Sequence, residues 1–179
     1  MESKINKIYK SINGYGSSTN NVPSDVNETY GELTLQGFKK LFDKQSWKGY
    51  NFYDLGSGVG KLVIYSHILK DFDKSIGIEF NKERHKKAKT AKKNLLKNNR
   101  KTRKNTRGKL IFIEGTIFNK KYFDNKKNSV YFINNLCFNE DMNKQLSEYF
   151  NKYRLNSGLK TVIFCSKQIP GLEPYLKGE

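Results

Sequence analysis

A chain of 179 residues with 36 % hydrophobic content has room for one well-cored domain but not two. No run of about 18 apolar residues occurs, and the segment after Met1 lacks the apolar stretch of a signal peptide, so neither membrane insertion nor secretion is supported and a soluble intracellular protein is expected. Thirty-four Lys and Arg against 17 Asp and Glu leave a net charge of +17, more than solubility requires, which predicts a polyanionic partner.

Residues 1–29 are polar and rich in turn formers, and they read as an N-terminal arm or lid with a short helix at Ile5–Ser11. A single domain over residues 30–179 follows. From Leu33 onward, Leu35, Phe38, Leu41 and Phe42 fall on one helical face, predicting a helix that ends near Lys44. Strand and helix signals then alternate. Strands are predicted at Phe52–Leu55, Lys74–Glu79, Leu110–Ile113, Val130–Ile133 and Thr161–Cys165. Helices are predicted at Lys61–Lys70, at Lys82–Lys97 with Ala88, Ala91, Leu95 and Leu96 on the buried side, and at Asn139–Tyr153 with Met142, Leu146, Tyr149 and Phe150 inward. Short apolar strands separated by helices predict an α/β fold with a parallel sheet covered on both faces.

The positive charge is concentrated. Between Lys82 and Lys109 stand fourteen Lys and Arg residues, with Glu83 the only acid. A solvated helix face would ordinarily mix signs to gain i,i+4 pairs, so contact with nucleic acid or a nucleosome is expected, through Arg100, Lys101, Arg103, Lys104 and Arg107 in the charged loop Asn98–Gly108. An AT-rich genome would also enrich Lys, Asn, Ile, Tyr and Phe. Cys137 and Cys165 lack CxxC spacing and read as buried free thiols. His67 and His85 have no second ligand at metal spacing and read as helix-surface or core-edge residues, so no metal is expected.

The chemistry centres on Asp54-Leu-Gly-Ser-Gly-Val-Gly-Lys61, a glycine turn after a strand. A phosphate-binding P-loop would need glycine at Leu55 and a hydroxyl at Leu62, and it fails on both. A dinucleotide site would want Gly-x-Gly-x-x-Gly; Gly56, Gly58 and Gly60 followed by Lys61 fit that pattern less well. A third reading accounts for more residues. Asp54 at a strand tip can accept from an ammonium group, and the glycines around Ser57 let backbone approach a ligand. Glu79, at the next strand tip, can take both hydroxyls of a ribose. An ammonium and a ribose at opposite ends describe S-adenosylmethionine. Lys61 can pair with the methionine carboxylate or simply reach solvent. After the fourth strand, Asn134 and Asn135 place two amides beside the expected methyl donor, where an Asn carbonyl can accept from an amine and Phe138 can wall a partly cationic group. Asn also caps and turns for purely structural reasons.

Taken together, Tyr30-Gly-Glu-Leu-Thr34, Asp54 to Gly60, Gly77-Ile-Glu79, Asn134-Asn-Leu-Cys-Phe138 and Ser166-Lys167 resemble the ordered motifs of Dot1-type, non-SET histone H3 lysine methyltransferases, over roughly residues 28–170. The resemblance implies a class I, Rossmann-like S-adenosylmethionine methyltransferase fold and a monomeric enzyme acting on nucleosomes, histone H3 and DNA together. A cellular nucleus and a large DNA virus carrying its own chromatin-modifying enzyme both fit the composition, the expected location being the nucleus, or a host nucleus, viral factory or virion if the chain is viral. By resemblance, Tyr30, Glu32 and Thr34 close over the cofactor and line the lysine channel, with Tyr30, Asn134 and Phe138 nearest the transferred methyl. Asp54, Gly56, Gly58 and Glu79 carry over as cofactor contacts and Asn135 as a support of the pocket; Ser57, Gly60 and Lys61 are read with them as cofactor-binding from their place in the glycine turn, although the family usually has Gln where Lys61 stands. Where the family commonly has Gly-Asp-Phe against adenine, this chain has Gly115-Thr116-Ile117, so Thr116 and Ile117 take that place. The family's sheet continues through an antiparallel hairpin; here either Tyr175 walls the channel or the sheet is abbreviated. Two rivals stay open. One is an RNA or DNA base methyltransferase, although Leu136 and Cys137 depart from the Pro-Pro such enzymes often carry. The other is a catalytically silent nucleic-acid-binding domain.

Overall fold

The computed structural model describes residues 2–13, 33–43, 45–98 and 108–173. Its order is α1 (Glu2–Tyr9), α2 (Leu35–Phe42), β1 (Tyr50–Leu55), α3 (Lys61–Leu69), β2 (Lys74–Glu79), α4 (Lys82–Asn98), β3 (Lys109–Glu114), β4 (Asn128–Ile133), α5 (Glu140–Phe150) and β5 (Thr161–Cys165). The five strands form one sheet in the order β3-β2-β1-β4-β5, and every neighbouring pair is parallel. All carboxyl ends therefore share one edge. Beyond β1 the chain first moves outward through β2 and β3, then returns to place β4 on the other side, so β1 stands at the switch point where open α/β sheets bind ligands.

Strand alternation divides the core into two layers. Phe52 and Val130 pack on one face with α1, α2, α3 and α4, through Ile5, Ile8, Phe38, Phe42, Val63, Ala91 and Leu95. Tyr53, Leu55, Tyr131 and Ile133 pack on the other with Phe123, Leu146 and Phe150. Near-continuous burial along β1 and β2 is what a parallel strand covered on both faces requires. On the second face the Tyr131 ring stacks between Tyr53 and Phe123, and its hydroxyl, pushed up to about 12 chiefly by burial, donates to the Tyr122 carbonyl at 2.8 Å.

Helix α1 belongs to this packing. Within the N-terminal arm expected over residues 1–29, Ile5 and Ile8 are buried, and Asn94 of α4 donates to the Ile8 carbonyl at 3.1 Å; residues 1 and 14–29 lie outside the described residues. Helix α5 continues into a π-helical turn, Asn151–Leu155. That turn carries Arg154, which is fully buried although charged. Its guanidinium donates to the Phe123, Asn125 and Lys127 carbonyls and to Thr161 Oγ1, which ties the approach to β4 to the start of β5.

Three expectations need correcting. Leu96 is 44 % exposed, because its angle on α4 falls beyond the stripe formed by Ala88, Ala91 and Leu95. Neither cysteine is buried: Cys137 is half-exposed in the loop after β4, and Cys165 is exposed at the end of β5. His67 and His85, by contrast, are both buried, and burial lowers each imidazole below its ordinary value.

Candidate active site

The turn after β1 is built by backbone hydrogen bonds that only a glycine-rich stretch can make. Gly56, Gly58 and Gly60 have φ of 97°, 54° and 79°, the left-handed region. Both the Gly56 and Ser57 N–H groups donate to the Ile78 carbonyl of β2 at 2.9 Å, and the Gly60 N–H donates back to the Ser57 carbonyl at 2.8 Å. The turn is thereby fastened across the tip of β2.

Two of these glycines have different uses. A Cβ built on Gly56 meets nothing within 4 Å, so the turn is open on that side. On Gly60 a Cβ would stand 2.4 Å from the Phe112 ring and 3.2 Å from Ala88, so this glycine exists to let protein pack.

Glu79 and Asp54 occupy adjacent strand tips. Glu79 is buried, and its two oxygens accept from the Gly58 N–H at 2.7 Å and the Asn81 N–H at 2.8 Å. Asn81 in turn accepts from the Glu83 and Arg84 N–H groups at 3.0 Å, capping α4. One carboxylate thus joins the glycine turn, the β2 tip and the start of the basic helix. Asp54 is 5 % exposed, and its carboxyl is pushed up to about 8, first by burial and then by the neighbouring negative charge of Glu79.

Across the switch point, β1 pairs with β4 up to Leu55 and Ile133, so Asn134 follows one residue beyond, level with Gly56. Its Oδ1 is buried without a hydrogen-bond partner, and so is Ser57 Oγ. Buried acceptors without donors are uncommon enough to call for an explanation. Asn135 does something else. Fully buried, it donates to Asn143 Oδ1 and to the Lys167 carbonyl, both at 2.8 Å, and accepts from the Lys167 N–H at 2.9 Å. It ties the loop after β4 to α5 and to the segment following β5. Phe138 is half-buried against the second core layer, while Leu136 is 64 % exposed.

The other expected residues are distributed unevenly. Thr34 is exposed and caps α2, its hydroxyl accepting from the Gly37 N–H at 3.1 Å. The Lys61 ammonium lies 5.6 Å from the centroid of the Tyr9 ring, so it faces α1 rather than open solvent. Thr116 is exposed past the tip of β3, and its hydroxyl accepts from the Phe118 N–H. Ile117 is buried in the second core layer, which leaves little of the aliphatic surface expected for adenine at that tip. Tyr30, Glu32, Tyr175 and the basic residues Arg100, Lys101, Arg103, Lys104 and Arg107 lie outside the described residues. Sequence reasoning missed Asn81, although Asn two residues before Glu83 is a readable helix cap, and Tyr9, for which no local signal exists.

The orphaned Asn134 Oδ1 and Ser57 Oγ, the open side of Gly56 and the paired acids Asp54 and Glu79 form a set of acceptors fit for a ligand with an ammonium and vicinal hydroxyls. No curated protein sequence matches the chain. The family model described as Histone methylation protein DOT1 matches residues 9–170, taking in all five strands, the glycine turn, Asp54, Glu79 and Asn134. The chain therefore belongs to the DOT1 family, whose members are S-adenosylmethionine-dependent histone-lysine methyltransferases.

Proposed function

We propose that this protein transfers a methyl group from S-adenosylmethionine to a lysine side chain of nucleosomal histone H3, and that it works in the nucleus. The observation that carries this reading is Asn134 Oδ1, a buried acceptor awaiting a donor one residue past the β1–β4 pairing, at the edge that also holds Asp54 and Glu79. When bound, S-adenosylmethionine supplies a sulfonium-activated methyl carbon, the electron pair of the broken bond returning to sulfur.

Each residue contributes by position. Asp54 ionises against the ammonium of the methionine moiety, and Glu79 accepts from the ribose hydroxyls on lone pairs not used by Gly58 and Asn81. The backbone of Gly56, Ser57 and Gly58 cradles the ligand where side chains would intrude. Thr116 borders the adenine. Asn134 Oδ1 would accept an N–H of the incoming amine and orient its nitrogen for attack, with Phe138 and, by the family resemblance, Tyr30 flanking that amine. Asn135 holds the Asn134 loop still. Glu32 and Thr34 belong to the segment that closes the site, and Lys61 steadies the turn from below. The lysine ammonium loses its proton to solvent through the channel, helped by desolvation, before the nitrogen attacks.

The test uses labelled S-adenosylmethionine with four substrates: nucleosomes, free histone H3, RNA and duplex DNA. Label on histone lysine, greatest with nucleosomes, is expected. Label chiefly on nucleic acid would establish the base-methyltransferase rival instead. Asn134→Ala should lower kcat about 100-fold by misaligning the amine while leaving cofactor affinity unchanged; equal loss of both would remove its assigned role.

A further inference from the structure

We propose that the outer face of α4 is a track for the phosphate backbone of double-stranded DNA, read without regard to base sequence. Lys82, Lys86, Lys89, Lys93 and Lys97 are all exposed. At about 100° per residue they fall within an arc of roughly 80°, and at about 1.5 Å per residue they span roughly 22 Å. Ala88, Ala91 and Leu95 occupy the opposite, buried side. The five ammonium groups therefore form one straight row on a rigid element.

Among the described residues none of the five is neutralised. Glu83, the only acid on the helix, pairs with Lys87, which points away from the row. Lys92 is turned to the Leu110 carbonyl at 2.7 Å and is not part of it. Lysines at i,i+3 and i,i+4 repel one another. A solvated helix could avoid that cost by alternating signs, and this one does not.

The composition of the row chooses the partner. Single-stranded nucleic acid is held by aromatic platforms, and no aromatic residue occurs on α4. Base edges are read by the forked side chains of Arg, Asn or Gln and also by Lys, whose ammonium is a point charge without a fixed fork. On this helix Arg84 is buried and Asn94 is committed to the Ile8 carbonyl, so among residues 82–97 no forked side chain lies on the outer face. Lysines alone, evenly spaced along a straight line, suit phosphate oxygens of a duplex.

The helix also fixes where the duplex lies. It starts three residues after Glu79 and runs back along the sheet to the amino edge, where Lys109 pairs with Lys74 as β3 begins. A duplex on this track flanks the molecule and leaves the carboxyl edge open to histone. This orientation rests on the function proposed above; the track itself does not.

Duplex binding is measured by fluorescence anisotropy with a 30-base-pair DNA over a salt series, without cofactor. Three proteins are compared: the wild type, a variant with all five lysines changed to Gln, and a variant with Lys39, Lys40, Lys48, Lys120 and Lys144 changed to Gln, which loses equal charge from other exposed positions. Replacing the row should make the log–log salt slope shallower by about 4, since each phosphate contact contributes about 0.9, and should weaken low-salt binding at least about tenfold. The charge-matched control should change far less. Methyl transfer to nucleosomes should fall with the row while transfer to free histone H3 and S-adenosylmethionine affinity persist. An unchanged slope, an equal effect from the control, or tighter binding of single-stranded RNA overturns the track. If the slopes behave as expected and no substrate accepts methyl, the track stands and the proposed enzymatic function fails.

Discussion

Asp54→Asn separates the cost of burying the site's acid from its use. The carboxyl is 5 % exposed and sits at about 8 instead of its ordinary 3.8, owing first to burial and then to Glu79. The folded protein therefore holds this proton more tightly than the unfolded chain does, and the sign follows: stability is undiminished near pH 4, declines as pH rises between the two values, and is lowest above 8. At about 1.4 kcal/mol per tenfold, the upper limit of that loss is roughly 5–6 kcal/mol. Asn keeps the shape and removes the ionisation. Relative to wild type it should be about neutral near pH 4.5 and more stable by about 2–5 kcal/mol at pH 8.5. Urea unfolding at pH 4.5, 6.5 and 8.5, reading both midpoint and m-value, measures the difference directly. Parallel pH profiles for the two proteins would refute the argument. Calorimetry supplies the other half: the variant should lose S-adenosylmethionine affinity, and the wild type should release a proton on binding at pH 7, seen as a dependence of the heat on buffer ionisation.

Glu79→Gln presents an amide N–H to a backbone donor, Gly58 or Asn81, and should weaken S-adenosylmethionine binding by about 10- to 100-fold, as loss of hydrogen bonds to a charged acceptor implies; unchanged affinity in calorimetry would remove the ribose assignment. Gly60→Ala brings Cβ to within 2.4 Å of Phe112 at a φ of 79°, and should cost about 2–4 kcal/mol in urea unfolding. Phe112→Leu in the same chain should recover part of that loss, and a purely additive double mutant would contradict the packing explanation. Arg154→Met strips donors from three backbone carbonyls and should cost about 3–5 kcal/mol, lowering Tm by roughly 10 °C. A loss under about 1 kcal/mol would mean water replaces the guanidinium.

Much of the fold was legible because parallel strands covered on both faces leave uninterrupted apolar runs. Strands Lys74–Glu79 and Thr161–Cys165 match their expected bounds, and the others extend by one or two residues at polar ends such as Tyr50 and Asn128, where side-chain pattern fades while the backbone ladder continues. Helix bounds were fixed by caps: Thr34 and Asn139 both accept from N–H groups in the first turn. The acids at the strand tips were readable for the same reason, since a carboxylate closing an apolar run is conspicuous. What stayed hidden depends on pairs far apart in sequence. Asn135 read as one of two equivalent amides, and only Lys167, 32 residues on, shows that it braces while Asn134 is left with an orphaned acceptor. Three glycines in five residues looked alike until Phe112 claimed the space beside Gly60. Arg154 was anonymous within a basic chain because carbonyls, which leave no mark on the sequence, surround it.

The Tyr9 hydroxyl donates to the Val59 carbonyl at 3.2 Å, and its ring lies under the Lys61 ammonium, so helix α1 is bolted to the bend that receives the ligand. A ligand that binds better when helix α1 is docked must, by reciprocity, make detachment of the helix less favourable. The chain's first ten residues thus act as a gauge of occupancy: amide protons in α1 should exchange more slowly, and a protease should cut there later, whenever the site some fifty positions downstream is filled.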